Sequence, residues 1–372
     1  VDGEPIFDGG GDAASVSKAP RTDATRPDVR VPRDAGAHRE ASFADAGATD
    51  ALTPSDATTT LDARSVIDAA PDAGCDSGEP GVACVAALAA PGWNGPIAVD
   101  DTNVYWTSFP TGDVTVGQVM RRARSGGAAV TLVAATPLSL VSDGVDLYGL
   151  EQNAGRVLQI PVSGGAAITL AQAVQPLCVA VDDTNVYWTD GTTGVERVAK
   201  SGGVPSTLAS GLGSLGIVLD ATNVYWTSTA NDGSLIGVVR ANKTGGDAVT
   251  LLSVPPGTGV MTPYCRSLGI HGDTLYLAEA SEIVSFPADA GTPTVVAPLT
   301  SQPRALAVDS TNVFWLLSGD AGVIQRTSLD GGPVTMLLAG VPTYNWDFVV
   351  ASDGTLYWDE SNTGGQVLSL AP

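Results

Sequence analysis

Polar and aromatic side chains of the kind that hold a ligand gather ahead of one recurring turn in this sequence. Counting back from copies of the turn gives Trp93 and Asn94, Gln175, Tyr264 and Arg266, Gln302 and Arg304, and Asn345, Trp346 and Asp347. Two guanidinium groups, a carboxylate, side-chain amides and planar aromatics suit a glycan, a peptide or a carboxylate-bearing ligand. The same residues admit a structural reading, in which Trp93 and Trp346 plug a channel and Arg266 pairs with Asp347. Acid–base chemistry is poorly served. General acids and bases come mostly from His, Glu, Asp and Lys in a cleft, and the chain has only two histidines, His38 and His271. His38 falls in a low-complexity stretch and His271 occupies a turn, so no catalytic residue is singled out. No CxxC or Cys/His spacing points to zinc. The run Asp8-Gly9-Gly10-Gly11-Asp12 occurs once, too little for a calcium repeat, and no phosphate loop is present. No metal and no cofactor is expected.

The turn belongs to a repeat whose fullest copy is Asp182-Asp183-Thr184-Asn185-Val186-Tyr187-Trp188-Thr189-Asp190. Its aromatic position recurs at Tyr105, Tyr148, Tyr187, Tyr225, Tyr276, Phe314 and Tyr357, a spacing of about 40 residues that matches a four-stranded propeller blade. Each unit opens with an apolar run such as Val179-Ala180-Val181. The Asp/Thr/Asn turn, the aromatic strand, and a third strand with alternating apolar and Arg residues follow. A Gly-Gly turn such as Gly202-Gly203 then leads to a Thr-Leu strand. The segments are short, rich in Val, Ile, Tyr, Trp and Thr, and bounded by Gly, Asp and Asn, as strands are. The aromatic strand is apolar on both faces, so both faces must be covered, which blades stacked around an axis achieve.

Tyr187-Trp188-Thr189-Asp190 is a complete YWTD tetrapeptide, and Tyr105-Trp106-Thr107-Ser108 and Tyr225-Trp226-Thr227-Ser228 nearly match it. The chain resembles YWTD-type β-propeller repeat proteins, the class found in lipoprotein-receptor ectodomains and in secreted bacterial proteins. That resemblance spans about residues 84–372 and implies a structural role for the tetrapeptide. The receptor propellers have six blades, whereas seven units are counted here, and units two and five lack the Trp. The expected fold is all-β, a seven-bladed β-propeller of four-stranded blades over residues 77–372. The last unit stops after its third strand, at Val367-Leu368-Ser369-Leu370. The stretch Val82–Leu88, written Val-Ala-Cys-Val-Ala-Ala-Leu, stands where the missing outer strand is needed, so it is expected to close the ring.

Residues 1–76 are dominated by Asp, Ala, Thr, Pro and Gly and sustain no apolar period. Such a segment cannot bury enough surface to offset its conformational entropy, and it is expected to be a disordered acidic spacer. The chain begins at Val1 rather than Met, which implies a removed signal peptide or a trimmed chain. A lipid-bearing Cys upstream of Val1 is compatible with such a spacer, and no apolar run is long enough for a transmembrane segment. The formal net charge of −22 argues against nucleic acid and anionic membranes as partners and favours solubility. Four cysteines allow three pairings if all are bridged. Cys75 with Cys84 would pin the spacer to the ring, and Cys178 with Cys265 would link units three and five; two buried thiols is the alternative for the latter. Arg121, Arg122, Arg197, Arg240 and Arg326 recur on third strands and read as exposed positions.

In such a ring the tight turns lie on one face and the variable loops on the other. The loops 108–117, 228–237, 254–266 and 340–346 make the second face the place for binding. The expectation is a secreted or surface-tethered binding module, at the outer surface or in the periplasm of a bacterium, for an unknown protein, peptide or glycan. Lyases and hydrolases built on propellers keep an enzyme as the alternative, and a structural cell-surface or matrix component is the third.

Overall fold

The chain forms a seven-bladed β-propeller, seen in a computed structural model. The structure describes residues 85–89, 92–210, 214–229, 235–254, 265–317, 322–341, 347–360 and 365–372. The expected spacer 1–76, Cys75, Cys84, Tyr264, Asn345 and Trp346 lie outside them. Each blade is an antiparallel four-stranded sheet. Blade 1 runs Trp93–Val99, Asn103–Phe109, Gln118–Ala123 and Val130–Val133 from the axis outwards. The inner strands of blades 2 to 7 are Ser139–Ser142, Pro176–Val181, Ser214–Leu219, Leu268–His271, Pro303–Val308 and Phe348–Val350. Each touches the next, and the first touches the last. As expected, Val85–Ala87 supplies the outer strand of blade 7, in the register Val85↔Leu370, Ala86↔Ser369 and Ala87↔Leu368. Arg122 of blade 1, itself 8% exposed, holds that strand through Nη1 donated to the carbonyls of Ala87 and Leu88.

The core is divided into seven apolar clusters, one at each blade junction. This explains the Tyr-Trp pair. Consecutive residues of a strand point to opposite faces, so Tyr187 packs toward blade 4 while Trp188 packs toward blade 2. The same division holds for Tyr105 and Trp106, Tyr225 and Trp226, Phe314 and Trp315, and Tyr357 and Trp358. Blade 2 has Gly149 in the Trp position, where a Cβ would come within 2.8 Å of Pro137; blade 5 has Leu277 there.

The inner turn is welded by its aspartate. In blade 4, Asp220 Oδ1 accepts the backbone N–H groups of Thr222 and Asn223, both at 2.6 Å, and Oδ2 accepts the Tyr225 hydroxyl at 2.6 Å. Blades 1 and 3 repeat the arrangement with Asp100–Tyr105 at 2.7 Å and Asp182–Tyr187 at 2.9 Å. Burial opposes ionisation of Asp220, but these donors outweigh it and hold its pKa down at about 2, against an ordinary 3.8. Burial and the neighbouring carboxylate push Tyr225 up from 10.0 to about 12. Stability from the depressed carboxylate is complete above pH 3.8 and is lost as pH falls toward 2; stability from the raised phenol is complete below pH 10 and is lost as pH rises toward 12. Urea midpoints across pH should therefore fall at both ends. The variant Tyr105→Phe, Tyr187→Phe, Tyr225→Phe should flatten the alkaline limb. An unchanged alkaline limb would contradict the assignment.

Basic side chains link the blades. Arg121, Arg197 and Arg240 are half-buried and each donates to a carbonyl on the following blade, at Val162 (2.7 Å), Lys243 and Ala288 (3.1 Å) respectively. They are not the exposed strand positions that their regular placement suggests. Lys200 reaches back to Asp143 at 2.6 Å, Lys243 to Asp182 at 2.9 Å, and Arg124 to Asp353.

The Gly-Gly turns need positive φ at both residues, as at Gly202 (78°) and Gly203 (139°). Blade 5 puts Ala290 in the first of these positions at φ 113°, the one non-glycine with positive φ among the described residues. Ala290→Gly should relieve this strain and raise stability by about 1 kcal/mol net of the entropy that glycine adds to the unfolded chain. A lower denaturation midpoint in the variant would refute that.

Candidate functional site: the loop-face mouth of the channel

Each inner strand is approached from the loop-rich face by a lead-in segment. Equivalent lead-in positions of blades 1 to 6 hold Gly95, Leu138, Leu177, Leu215, Arg266 and Arg304; the blade 7 turn is one residue longer, so Asp347 stands level with Pro96, one step nearer its inner strand. Ladder register shifts here in four blades, between Asn94 and Ile97, Pro176 and Cys178, Ser214 and Ile217, and Pro303 and Ala305. A bulge of this kind bends the strand and re-aims its side chains. Buried acids at the ends of second strands fix several lead-ins. Glu151 Oε1 accepts the Thr136 N–H at 2.8 Å, Asp190 Oδ2 accepts the Gln175 N–H at 2.8 Å, and Asp359 Oδ1 accepts the Asp347 N–H at 2.7 Å. Asp190, the aspartate of the complete tetrapeptide, is fully buried and also takes N–H and O–H donors from Thr192. Burial works against its charge, yet the donors win and its pKa lies below the ordinary value.

Residues 265 and 266 form a crossbar over the mouth. Cys265 is bonded to Cys178 of blade 3, with Cα atoms 5.3 Å apart, so the link skips blade 4. Blade 4 makes room by having Gly216 beneath it; a Cβ there would lie 2.9 Å from Ser267 Oγ and 3.3 Å from the Cys265 carbonyl oxygen. Arg266 reaches the opposite way. Its Nε donates to Asp347 Oδ1 at 2.6 Å, and Nη2 donates to Asp347 Oδ2 and to the Ile97 carbonyl, both at 3.2 Å. Asp347 is completed by the N–H groups of Ile97 and Phe348, each at 2.9 Å. Loss of water disfavours charge on Arg266, but Asp347 more than restores it and its pKa lies above the ordinary value.

A cavity of about 380 Å³ opens above the crossbar. Pro96, Leu138, Pro176, Leu177 and Leu215 give it an apolar lining around blades 1 to 4, and the disulfide, Arg266 and Asp347 complete it. A second cavity of about 280 Å³ continues along the axis, lined by inner-strand aliphatics including Val99, Val141, Ile270, Val308 and Val350, and it shares Cys265 and Arg266 with the first. The crossbar thus stands between the two.

The sequence-derived candidates separate into groups. Arg266 and Asp347 come together as a pair. Trp93 is 44% exposed beside Gly112 on the rim of blade 1. Asn94 is 3% exposed and donates to the carbonyls of Gly92 (3.2 Å) and Gly365 (3.0 Å), tying blade 1 to blade 7. Gln302 is exposed and Arg304 half-buried in the blade 6 lead-in. Reasoning from sequence did not single out the leucine wall. Its signal is the column Leu138, Leu177, Leu215, visible once the lead-ins are aligned position by position. His271 is exposed at the tight turn of blade 5, on the other face. Among the described residues no group of three or more His, Cys, Asp or Glu could hold a metal ion, and no helix is long and apolar enough to cross a membrane.

The sequence matches no protein-family model and no curated protein. Its structure is similar to several solved ones. Streptogramin B lyase superposes with a TM-score of 0.59 at 13% identity, over 77% of this chain and 97% of that one. Puromycin hydrolase gives 0.55 at 14% identity, over 72% of this chain and 50% of that one. The computationally designed protein Ika8 gives 0.53 at 10% identity, over 76% of this chain and 98% of that one. At such identities the likeness is one of fold.

Proposed function

We propose that this chain is a binding module, secreted or surface-tethered, that recognises a protein, peptide or glycan through its loop-rich face. The observation that carries this reading is the asymmetry of the ring. One face is built of short Asx and Gly-Gly turns whose aspartates bond their own backbone N–H groups, and the second axial cavity runs towards it. On the other face a variable set of loops surrounds a cavity lined by both apolar and polar groups, and Trp93 stands exposed on the rim of blade 1. Rigid rings that present aromatics and a concave centre on one face suit recognition. The Cys178–Cys265 bond fits an oxidising compartment.

Catalysis has less support. The ionisable groups lining the mouth cavity are Arg266 and Asp347, and they are engaged with each other and with backbone groups, a poor arrangement for a general base. Similarity to a lyase and a hydrolase supports a shared scaffold and supplies no catalytic residue.

Binding of the full chain to glycan and peptide arrays tests the reading, run beside the variant Trp93→Ala, Gln302→Ala, Trp346→Ala. The variant should weaken each detected interaction by about tenfold or more, since aromatic side chains such as the exposed Trp93 dominate the energetics of such surfaces. Binding that is unchanged in the variant would move recognition away from this face.

A further inference from the structure

We infer that the mouth cavity is a pocket for a small, mainly apolar molecule bearing an uncharged hydrogen-bond acceptor such as a carbonyl; this rests on the loop-face reading and names a ligand class for its centre. Three observations point to it. The cavity volume, about 380 Å³, falls in the roughly 300–1,000 Å³ range of small-molecule pockets, which are mostly apolar with a few directed polar groups. Leu138, Leu177 and Leu215 are only half-buried, although leucines on the second strands, such as Leu147, Leu275 and Leu356, are at 0 or 1% exposure. An apolar wall is therefore left uncovered in a concave place, and an occupant with apolar surface would complete it.

The third observation fixes the polar end. Arg266 uses Nε and Nη2 on Asp347 and Ile97, and its Nη1 makes no hydrogen bond among the described residues. A third of its side chain is exposed, and it lines the cavity. Its two Nη1 N–H groups are donors held in a fixed plane by the fork on Asp347. The local charge is already balanced by that carboxylate, and the chain as a whole is strongly negative. A ligand carboxylate would meet Arg266 and Asp347 together, so attraction and repulsion largely cancel while its desolvation still costs. A carbonyl accepts from Nη1 without that opposition.

The probe is 6-propionyl-2-dimethylaminonaphthalene, a neutral ketone whose emission shifts to the blue in apolar surroundings. Its carboxylate counterpart, 6-dimethylamino-2-naphthoate, serves as the charged comparison. Titrated with the full chain, the ketone should bind with a blue shift and the carboxylate several-fold more weakly. Leu177→Trp and, separately, Leu138→Phe fill the cavity from half-buried positions and should each weaken ketone binding by about tenfold. Arg266→Lys keeps the charge opposite Asp347 but removes the fork, and should weaken it by about threefold while shifting the bound emission. Absence of ketone binding up to about 1 mM, or binding unaffected by either folded leucine variant, overturns the inference. Tighter binding of the carboxylate overturns the choice of an uncharged acceptor. Array partners that bind Leu177→Trp normally, while the wild-type chain takes up no ketone, would sink this pocket and leave the loop-face reading standing. Ketone uptake with no array partner would do the reverse.

Discussion

Replacing Cys178 and Cys265 together by alanine is expected to lower the stability of the propeller by about 4 kcal/mol, the largest effect of any change at the mouth. The bond closes a loop with a sequence separation of 87 residues, and the entropy it removes from the unfolded chain grows with the logarithm of that length. The cross-link also acts within the folded ring. It spans blade 4 and anchors the lead-in from which Arg266 extends, so its loss frees the polar side of the cavity. Urea denaturation of the double variant should show a lower midpoint together with a steeper slope, because the unlinked unfolded chain exposes more surface. A change of less than about 1 kcal/mol would mean that the ring alone fixes the lead-in.

Arg266→Ala should cost about 3 kcal/mol, near the lower end for a broken buried pair because a third of the arginine side chain meets solvent. The loss comes mainly from Asp347, whose side chain is 7% exposed and would be left with backbone donors in place of its ion-pair partner. Asp347→Ala should cost a similar amount, because it strands the guanidinium and frees the N–H groups of Ile97 and Phe348. The double variant should cost clearly less than the sum, with a coupling of about 1–3 kcal/mol in a double-mutant cycle. Strictly additive losses would show that the two side chains act independently and that no crossbar exists on that side.

Much of the architecture was legible because the repeat writes each blade in the same way. The Tyr-Trp pair demands two covered faces, and the seven junction clusters supply them. A last unit without its fourth strand demanded a partner, and Val85–Ala87 is that partner. What the sequence hides is whatever depends on the curvature of the ring. Arg121, Arg197 and Arg240 bond carbonyls 41, 46 and 48 residues away; read along one strand they look like solvent-facing alternation. The pairing of Cys178 with Cys265 was open on sequence because it skips a blade; Gly216 is what lets the chain pass. The mouth was legible only in its charged half. Arg266 and Asp347 stand out as charges among apolar neighbours, whereas Leu138, Leu177 and Leu215 blend into the strands they precede. Asn94 looks like a ligand contact in the sequence, yet its amide is engaged with Gly92 and Gly365.

The most direct measurement is amide hydrogen exchange of the full chain, alone and bound to a partner captured on the arrays. If the loop-rich face is the recognition surface, new protection should appear in the lead-ins around 93–96, 136–140 and 174–178, and the tight turns at 100–103, 182–185 and 220–223 should exchange as before. Protection confined to those turns, with the lead-ins unchanged, would place recognition on the opposite face and contradict this account.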